Sequence, residues 1–407
     1  MQTNNQQLDD IFFDGLLSEI QKMRYKSRPI SPNRAPWTVI LTGSTGSVGT
    51  HILATLLSLP ESRVNRIYCL NRSEDALSRQ AASLQFCRLP PLDKRVNFVQ
   101  ATFGSPRLGL DQLIFSQLLE EVTLIIHAAW PVNFLHPLET FKPHLRGVVE
   151  LLRFSHQSKH SPPMLFISSL GIAYASNQYQ VPEDFFGDKM LSISDGYSLS
   201  KYMAERLIDA YLFSTNLPSA ILRVGQVAGP VQAFGVWPPR EWFPSLLRAS
   251  RYIGFLPSSL GSHNAVDWVP VDLLSRIIVE IAETVVSWSI SPTPQIFNIV
   301  NPSIVPFGAL LPVLAKVVAV PISCSDWVKE FGGKLAEKDR VLNIPGERLL
   351  GFYKRIFTMS NVRFEIATQN TRFASRTARD LPPVNPEWLC LWLQQWGYLP
   401  AEGSAKL

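Results

Sequence analysis

The sequence has 407 residues, of which 46% are hydrophobic and 17% are charged, a balance that excludes an intrinsically disordered chain. Its formal net charge is +5 without any dense run of Lys or Arg, which argues against nucleic-acid binding and favours anionic ligands or acidic partner proteins. Pro306, Pro312 and Lys316 interrupt the most apolar segment, so the sequence lacks the roughly 20 clean apolar residues of a membrane span.

The cysteines and the N-terminus bear on compartment and metal binding. None of the four cysteines forms a C-x-x-C pair or has a His at metal-ligand spacing, so we predict neither a disulfide framework nor a metal site. Residues 1–10 are polar and acidic and lack the features of a secretion signal. These observations predict a cytoplasmic protein.

The first predicted element is a leader over residues 1–36. Apolar residues within 8–25, including Ile11, Leu16 and Ile20, have the spacing of an amphipathic helix. Pro29, Pro32 and Pro36 follow and are expected to end it.

Strands alternate with helices after the leader. The short apolar runs show no alternation, which is typical of strands buried on both faces of a parallel sheet. The predicted strands are residues 37–42, 66–71, 96–100, 123–127, 164–168 and 220–224. The helices predicted between them are residues 48–59, 74–86, 111–121, 140–156 and 197–215. These repeated units predict an α/β fold, a Rossmann-type doubly wound parallel sheet.

The second half of the chain has a different composition. We predict a cofactor-binding Rossmann domain over 37–229, joined by a late strand near 296–300, and a smaller substrate-binding, lid and C-terminal helical region over 230–407. Segments 229–244 and 254–264 are rich in Pro, Gly and Trp. They are interpreted as loops over a substrate site, with Trp237 and Trp242 as candidate walls, although long loops can also be mere connections.

A glycine-rich run follows the first predicted strand. It consists of Gly43, Ser44, Thr45, Gly46, Ser47, Val48 and Gly49, with glycines spaced G-x-x-G-x-x-G. Gly43 would permit the tight turn, Gly46 would let the backbone approach a pyrophosphate, and Gly49 would let the helix pack on the strand. An ordinary strand-to-helix turn is the alternative. The position at the junction of a βαβ unit favours dinucleotide binding.

The end of the second predicted strand bears on the choice of cofactor. An acidic residue there would favour NAD, but the sequence has Asn71 and Arg72. The Arg72 guanidinium suits the 2′-phosphate of NADP, and Arg79 could flank the same phosphate. Glu74 and Asp75 offer a competing, NAD-like interpretation, and both arginines could simply be solvated. We predict NADPH.

A Tyr-x-x-x-Lys motif begins the helix predicted over 197–215. Tyr197 and Lys201 would share one helix face, where a lysine cation should lower the tyrosine pKa and make Tyr197 a proton donor to a carbonyl. The preceding strand ends in two serines. Ser169 is the predicted hydrogen-bond donor to the substrate oxygen, with Ser168 as the alternative.

Several other polar residues lie near the predicted site. The backbone at Ala128 is expected to run close to the cofactor, whereas His127 is interpreted as a structural histidine. His144 would support active-site hydrogen bonds or simply pack its helix. Asn133 is a turn residue or a substrate contact, and Asp272 is interpreted as a helix start.

With these residues in place, the sequence resembles a known family. It is similar to the thioester reductase domains of nonribosomal-peptide-synthetase-like, aminoadipate reductase and carboxylic acid reductase enzymes, which are extended short-chain dehydrogenases/reductases of the male-sterility type. The resemblance runs from Trp37 to Tyr398 and is carried by residues 41–49, 67–72, 106–110, 125–134 (IIHAAWPVNF), 142–152, 196–205 (GYSLSKYMAE), 221–229, 266–272 and 297–302. One departure is residues 101–103, Ala-Thr-Phe, where the family usually has Gly-Asp-Leu.

The resemblance implies a function as well as a fold. It implies Ser169, Tyr197 and Lys201 as a catalytic triad, and Arg72 with Arg79 as contacts of the NADP phosphate. The implied reaction is NADPH-dependent reduction of an acyl thioester to an aldehyde, and with a second hydride to an alcohol, in natural-product biosynthesis.

The source of the substrate is a further expectation. Multidomain relatives carry adenylation and carrier domains ahead of the reductase, and neither is expected in this sequence. We therefore expect a stand-alone, fungal-like reductase, or a reductase domain separated from its partners, that receives its acyl group from a separate carrier protein. One alternative is a reductase of acyl-CoA or of free aldehydes and ketones. Another is a non-catalytic NADP-sensing protein, against which the intact triad argues.

Overall fold

The structure is a computed structural model that describes residues 2–25, 36–175, 180–186, 193, 195–287, 295–318, 320–337, 346–358 and 364–400. The strands are β1 Trp37–Thr42, β2 Val64–Asn71, β3 Val96–Gln100, β4 Leu124–His127, β5 Met164–Ser169, β6 Gln180–Val181, β7 Ser219–Val224, β8 Val227–Ala228, β9 Phe255–Pro257, β10 Ala265–Val266, β11 Val269–Pro270, β12 Gln295–Ile299, β13 Val305–Pro306, β14 Val320–Ile322 and β15 Glu365–Ile366.

The helices alternate with these strands in the first half of the chain and dominate the second half. They are α1 Gln2–Gln21, α2 Ser47–Leu57, α3 Ala76–Phe86, α4 Gln112–Glu121, α5 Lys142–Gln157, α6 Gly171–Ala175, α7 Gly196–Thr215, α8 Trp242–Ile253, α9 Val271–Ser287, α10 Leu311–Leu314, α11 Cys324–Ala336, α12 Leu350–Thr358, α13 Gln369–Ala374, α14 Arg376–Arg379 and α15 Pro386–Gln395.

The main sheet has the strand order β12-β7-β5-β4-β1-β2-β3, and its described pairings are parallel. The order reverses between β1 and β4, so helices α2 and α5 leave these two strands in opposite directions along the sheet. Thr42 and His127 are register partners at the carboxyl ends of β1 and β4. This confirms the predicted doubly wound α/β fold and places a ligand crevice where the order reverses.

The apolar strands are buried on both faces, which explains why their sequences do not alternate. Every residue of β1, β4 and β7 is buried, whereas the edge strand β3 is half-exposed. Truncating a buried aliphatic residue such as Ile125 to Ala is expected to cost about 2–5 kcal/mol. The sheet is therefore a rigid support for the residues at its carboxyl edge.

The chain divides into two compact units. The larger unit comprises Met1–Gly225, Leu274–Ile299 and Ile366–Arg379. The smaller unit comprises Gln226–Leu273, Val300–Glu365 and Asp380–Leu407. The first passage between them, at Gly225, falls near the predicted boundary at 229, but the chain returns to the larger unit twice. One return is needed because β12 pairs with β7 in the main sheet.

The leader contributes a helix to the larger unit. Leu16 and Ile20 of α1 are fully buried in its core, and Glu19 pairs with Arg146 and with Arg153, the latter at 2.8 Å. Ile11 is 61% exposed, so the apolar face of α1 is shorter than the sequence predicts. Pro29 and Pro32 lie outside the described residues.

An aromatic cluster forms the core of the smaller unit. The Trp237 ring centroid lies 5.3 Å from that of Trp268 and 5.1 Å from that of Trp392, and its indole N–H donates to Glu241 at 2.8 Å. The interpretation of Trp237 as a channel wall is therefore wrong, because packing among tryptophans buries its side chain. Trp242 is half-buried and begins α8.

Three further properties of the described residues bear on membranes, metals and disulfides. None of the described helices combines the length and apolar character that crossing a membrane requires. Within the same residues, no cluster of three or more His, Cys, Asp or Glu side chains is arranged to hold a metal ion. All four cysteines are free thiols.

Candidate active site

The glycine-rich loop between β1 and α2 is shaped by close backbone approaches. Gly43 has φ of +70°, and a Cβ there would lie 2.8 Å from the Ala128 carbonyl carbon. A Cβ on Gly49 would lie 2.1 Å from the Gly43 oxygen, so only glycine fits. At Gly46 a Cβ would meet nothing nearer than 3.4 Å, and no side chain caps α2. The N-terminus of α2 therefore presents backbone N–H groups to an open side, as pyrophosphate binding requires.

Asn71 at the end of β2 holds this loop in place. Its buried amide exchanges hydrogen bonds with the Ser44 hydroxyl at 3.2 and 3.3 Å. The exposed Arg72 follows, and its charge is one cause of the lowered pKa of His144 on α5. Arg79 Nη1 lies 3.8 Å from Asp75 Oδ1, one helical turn earlier. Asp75 is one of the two acidic residues that the sequence offers for an NAD-binding role.

The backbone that follows β4 packs against the glycine-rich loop. The N–H groups of Ala128 and Ala129 both donate to Thr42 Oγ1 at 3.1 Å. These two bonds hold residues 128–129 against Gly43. The backbone at Ala128 thus borders the glycine-rich loop, where the sequence predicts its approach to the cofactor.

Ser169 and Tyr197 lie next to each other at the carboxyl edge of the sheet. The hydroxyl of Ser169, the last residue of β5, accepts the Gly171 N–H at 3.0 Å. Tyr197 lies in the first turn of α7, which is capped by the Asp195 carboxylate accepting from the Ser198 N–H at 2.8 Å. The structure therefore brings the two predicted hydroxyls together.

Lys201 lies beneath this pair in an apolar environment. Its Nζ donates to the Ile167 carbonyl at 2.5 Å and lies 4.3 and 4.5 Å from the ring centroids of Trp130 and Phe166. Burial lowers the pKa of Lys201 well below its ordinary value.

The expected lowering of the Tyr197 pKa by Lys201 is wrong in this structure. Burial raises the pKa of Tyr197 to about 12, against a smaller lowering by the hydrogen bond from Ser169. The reason is that the Lys201 ammonium is directed to a backbone carbonyl and is itself desolvated. Tyr197 is consequently a phenol that holds its proton at neutral pH, which is the form a proton donor needs.

The alternative serine, Ser168, is already engaged. Its hydroxyl donates to Glu205 at 2.5 Å, and Glu205 forms a buried ion pair with Arg223 at 2.7 Å. Removing one partner of such a pair typically costs 3–5 kcal/mol, because it leaves an uncompensated buried charge. This geometry favours a structural role for Ser168 and leaves Ser169 available to a substrate.

Burial and hydrogen bonds distinguish the roles of the remaining candidates. Burial lowers the pKa of His127 well below its ordinary value, and burial followed by the charges of Arg72 and Lys201 lowers that of His144 to about 4. Asn133 accepts the Leu135 N–H at 2.9 Å and so fits the turn interpretation. The Asp272 carboxylate accepts the Val231 N–H at 3.2 Å at the start of α9.

Two aromatic residues were missed by the analysis of the sequence. Trp130 lies over Lys201 and donates from its indole to the Ser200 hydroxyl at 3.2 Å. The Phe134 ring meets the Tyr197 ring edge-on, with centroids 4.8 Å apart. The one feature of the sequence that could have indicated them is their position just after the strand that ends in His127.

A sequence profile of the NAD-binding family described as "male sterility protein" matches residues 41–278. This range contains the glycine-rich loop together with Ser169, Tyr197 and Lys201. The chain belongs to this family. It is accordingly an oxidoreductase of the extended short-chain dehydrogenase/reductase type that binds a nicotinamide cofactor.

This chain is similar to two fungal reductases. It is 31% identical to a carboxylic acid reductase of Neurospora crassa over 369 residues, which are 88% of this chain and 35% of that protein. It is 35% identical to the adenylate-forming reductase Nps9 of Serpula lacrymans over 341 residues, 78% of this chain and 30% of that protein. The chain thus spans about a third of the length of these relatives.

Solved structures share the fold. The terminal R domain from the myxalamid biosynthetic pathway aligns with a TM-score of 0.77 at 24% identity, covering 96% of this chain and 99% of that domain. The reductase domain of a nonribosomal peptide synthetase from Mycobacterium tuberculosis aligns with a TM-score of 0.73 at 22% identity, covering 95% and 96%. At these identities the likeness shows the Rossmann-type fold of this family member.

Proposed function

We propose that this chain is an NADPH-dependent reductase that converts an acyl thioester to an aldehyde. The observation that carries the proposal is the juxtaposition of Ser169 and Tyr197 at the carboxyl edge of the sheet, with Lys201 one turn further along α7. The relatives named carboxylic acid reductase and adenylate-forming reductase support it.

The cofactor side of the proposal rests on residues that fit a dinucleotide. The open Gly46 turn and the uncapped N-terminus of α2 would hold the pyrophosphate. Arg72, with Arg79 beside it, would hold the 2′-phosphate of NADPH. When bound, the reduced nicotinamide supplies a hydride to the thioester carbonyl carbon.

The chain's own residues then act on the carbonyl oxygen. The Ser169 hydroxyl donates a hydrogen bond to it, and the Tyr197 phenol gives it a proton as negative charge develops. The resulting hemithioacetal expels the thiol and leaves an aldehyde, and a second round on the aldehyde gives an alcohol. Lys201 is assigned to hold the cofactor ribose and the position of Tyr197. A positioned proton donor typically contributes 10²–10⁴-fold to such a rate.

A carrier-bound substrate is the form of thioester we favour. Among the solved structures of similar fold is a thiolation-reductase di-domain of a nonribosomal peptide synthetase. The net charge of +5 on this chain suits docking of an acidic carrier protein, an attraction that should weaken as salt rises. We place the reaction in natural-product biosynthesis and, because the four cysteines are free thiols, in the cytoplasm.

The test compares three forms of one acyl group. Purified protein and NADPH are mixed with the acyl-carrier protein, the acyl-CoA and the free aldehyde, and products are identified by mass spectrometry. Preferred turnover of the acyl-carrier form to aldehyde or alcohol is expected. Activity on free aldehydes or ketones alone would replace the proposal with a carbonyl reductase, and NADPH binding without any turnover would indicate a sensing protein.

A further inference from the structure

An exposed apolar surface borders the proposed catalytic residues within the larger unit. Val132, Phe134 and Leu135, which we call the apolar ledge, are 74%, 44% and 77% exposed. Other exposed apolar side chains, such as Phe213, are ordinary on a protein surface. The ledge differs because three of them fall within four consecutive residues, directly beside Tyr197.

The loop that carries the ledge is held firmly on α7. Asn133 accepts the Leu135 N–H at 2.9 Å and bonds the His136 ring at 3.1 Å, which fixes the turn. A Cβ on Gly196 would lie 2.5 Å from the His136 carbonyl oxygen, so the loop backbone packs directly on the first turn of this helix. The ledge therefore keeps its position relative to Tyr197.

Phe134 lies close to both of the proposed catalytic side chains. Its ring centroid lies 4.8 Å from that of Tyr197. Its Cε1 lies 3.9 Å from the β-position of Gly171, a point that is also 3.2 Å from Ser169 Oγ. A carbonyl oxygen bonded to both hydroxyls would bring the next group of the substrate against Phe134.

The chemistry of the ledge selects between the two groups attached to a thioester carbonyl. The thiol arm of a carrier or of coenzyme A contains amides, which need hydrogen-bond partners when they leave water. The ledge side chains are hydrocarbon, and the polar groups of Asn133 are used in the turn. A hydrocarbon acyl chain, by contrast, gains from contact with such a surface.

We infer that the apolar ledge binds the acyl chain of the substrate next to the reacting carbonyl, and that Phe134 makes the site selective for uncharged, hydrocarbon acyl groups. This rests on the proposed thioester reduction and adds the acyl-binding residues to it. The inferred role of Phe134 is contact with substrate, not proton transfer.

The test measures kcat/KM with pantetheine thioesters of acetate, hexanoate and adipate for the wild type, Phe134→Ala and Phe134→Leu. We expect Phe134→Ala to lose about tenfold for hexanoyl, as the loss of partial aromatic burial predicts, and less than about twofold for acetyl, which is too short to use the ledge. Phe134→Leu should recover part of the hexanoyl loss. Phe213→Ala is the matched control. Phe213 is 93% exposed and lies on α7 about 24 Å beyond Tyr197, so its replacement should leave all three kcat/KM values unchanged.

Introducing a charge on the ledge gives a second measurement that does not depend on Phe134. Leu135→Lys should raise the adipoyl-to-hexanoyl ratio by about tenfold, because the terminal carboxylate then meets a cation. Equal acyl profiles for the wild type, Phe134→Ala and Leu135→Lys would overturn the ledge while leaving thioester reduction intact. A uniform loss that includes acetyl would also overturn it. Failure of the wild type on every thioester, the acyl-carrier form included, would instead remove the proposed function.

Discussion

Thr42 Oγ1 and His127 Nδ1 lie 2.7 Å apart at the carboxyl ends of β1 and β4. The Thr42 oxygen also accepts two backbone N–H groups, those of Ala128 and Ala129. Its own proton must therefore go to His127 Nδ1, which makes the ring neutral with its proton on Nε2. Burial, followed by the charge of Lys201, keeps the His127 pKa low, so the ring stays neutral. The pair locks the two strands together where the strand order reverses.

Replacing Thr42 with Val should test this lock. The change keeps the shape of the side chain but leaves the N–H groups of Ala128 and Ala129 without their acceptor, which should cost about 1–3 kcal/mol of unfolding free energy for each group that stays buried. The cofactor loop should also loosen and bind NADPH more weakly. Denaturant unfolding and NADPH titration measure the two effects. Thr42→Ser keeps the hydroxyl and is the control, so equal losses in Val and Ser would contradict the lock.

The choice of NADPH over NADH should depend on Arg72. Arg72→Ala removes one charge-assisted hydrogen bond to the 2′-phosphate, so NADPH binding should weaken by about 1.5–3 kcal/mol while NADH binding stays nearly unchanged. Arg79→Ala should have a smaller effect, because Arg79 is partly engaged with Asp75. Calorimetric titration with both cofactors measures the difference. A loss of equal size for NADPH and NADH would show that Arg72 does not read the phosphate.

Proton donation by Tyr197 should separate turnover from binding. Tyr197→Phe removes only the hydroxyl, so turnover should fall about a hundredfold or more while NADPH affinity and unfolding stay close to the wild type. Single-turnover rates and cofactor titration on the same sample provide the comparison. Tyr202→Phe, on the same helix, is the control for loss of a phenol outside the site. Turnover near the wild-type value in Tyr197→Phe would mean that another group supplies the proton.

Much of the fold could be predicted because its strands are buried on both faces. The predicted strand 37–42 coincides with β1 and 96–100 with β3, and helix 197–215 begins one residue from the observed start of α7. Local patterns carry this information. The position of Trp237 could not be predicted in the same way, since it depends on Trp268 and Trp392, which are distant in the sequence.

The site was predictable in its parts but not in its electrostatics. Motif spacing was enough to nominate Ser169, Tyr197 and Lys201. The direction of the Tyr197 pKa shift was not, because it depends on the burial of Tyr197 and on the Lys201 ammonium being directed to the Ile167 carbonyl. Spacing on a helix fixes which side chains share a face, whereas a pKa also depends on every group packed against that face.

The docking of α1 leads to a pH-dependent prediction. Burial raises the pKa of Glu19, but hydrogen bonds and charges from Arg146 and Arg153 outweigh it, so the pKa in the folded chain is below the ordinary value for a glutamate. Stability from this group is therefore fully present above the pKa of the unfolded chain and is lost as pH falls through the folded pKa. Glu19→Gln should lower the unfolding free energy near neutral pH by under about 1 kcal/mol, since the ion pairs are partly exposed and screened. The difference should vanish in acid and shrink in high salt.

Leu16→Ala, which removes a fully buried contact of the same helix, should instead cost about 2–5 kcal/mol at every pH. A Glu19→Gln effect that stayed constant from neutral pH into acid would show that the arginines do not hold α1 through this carboxylate.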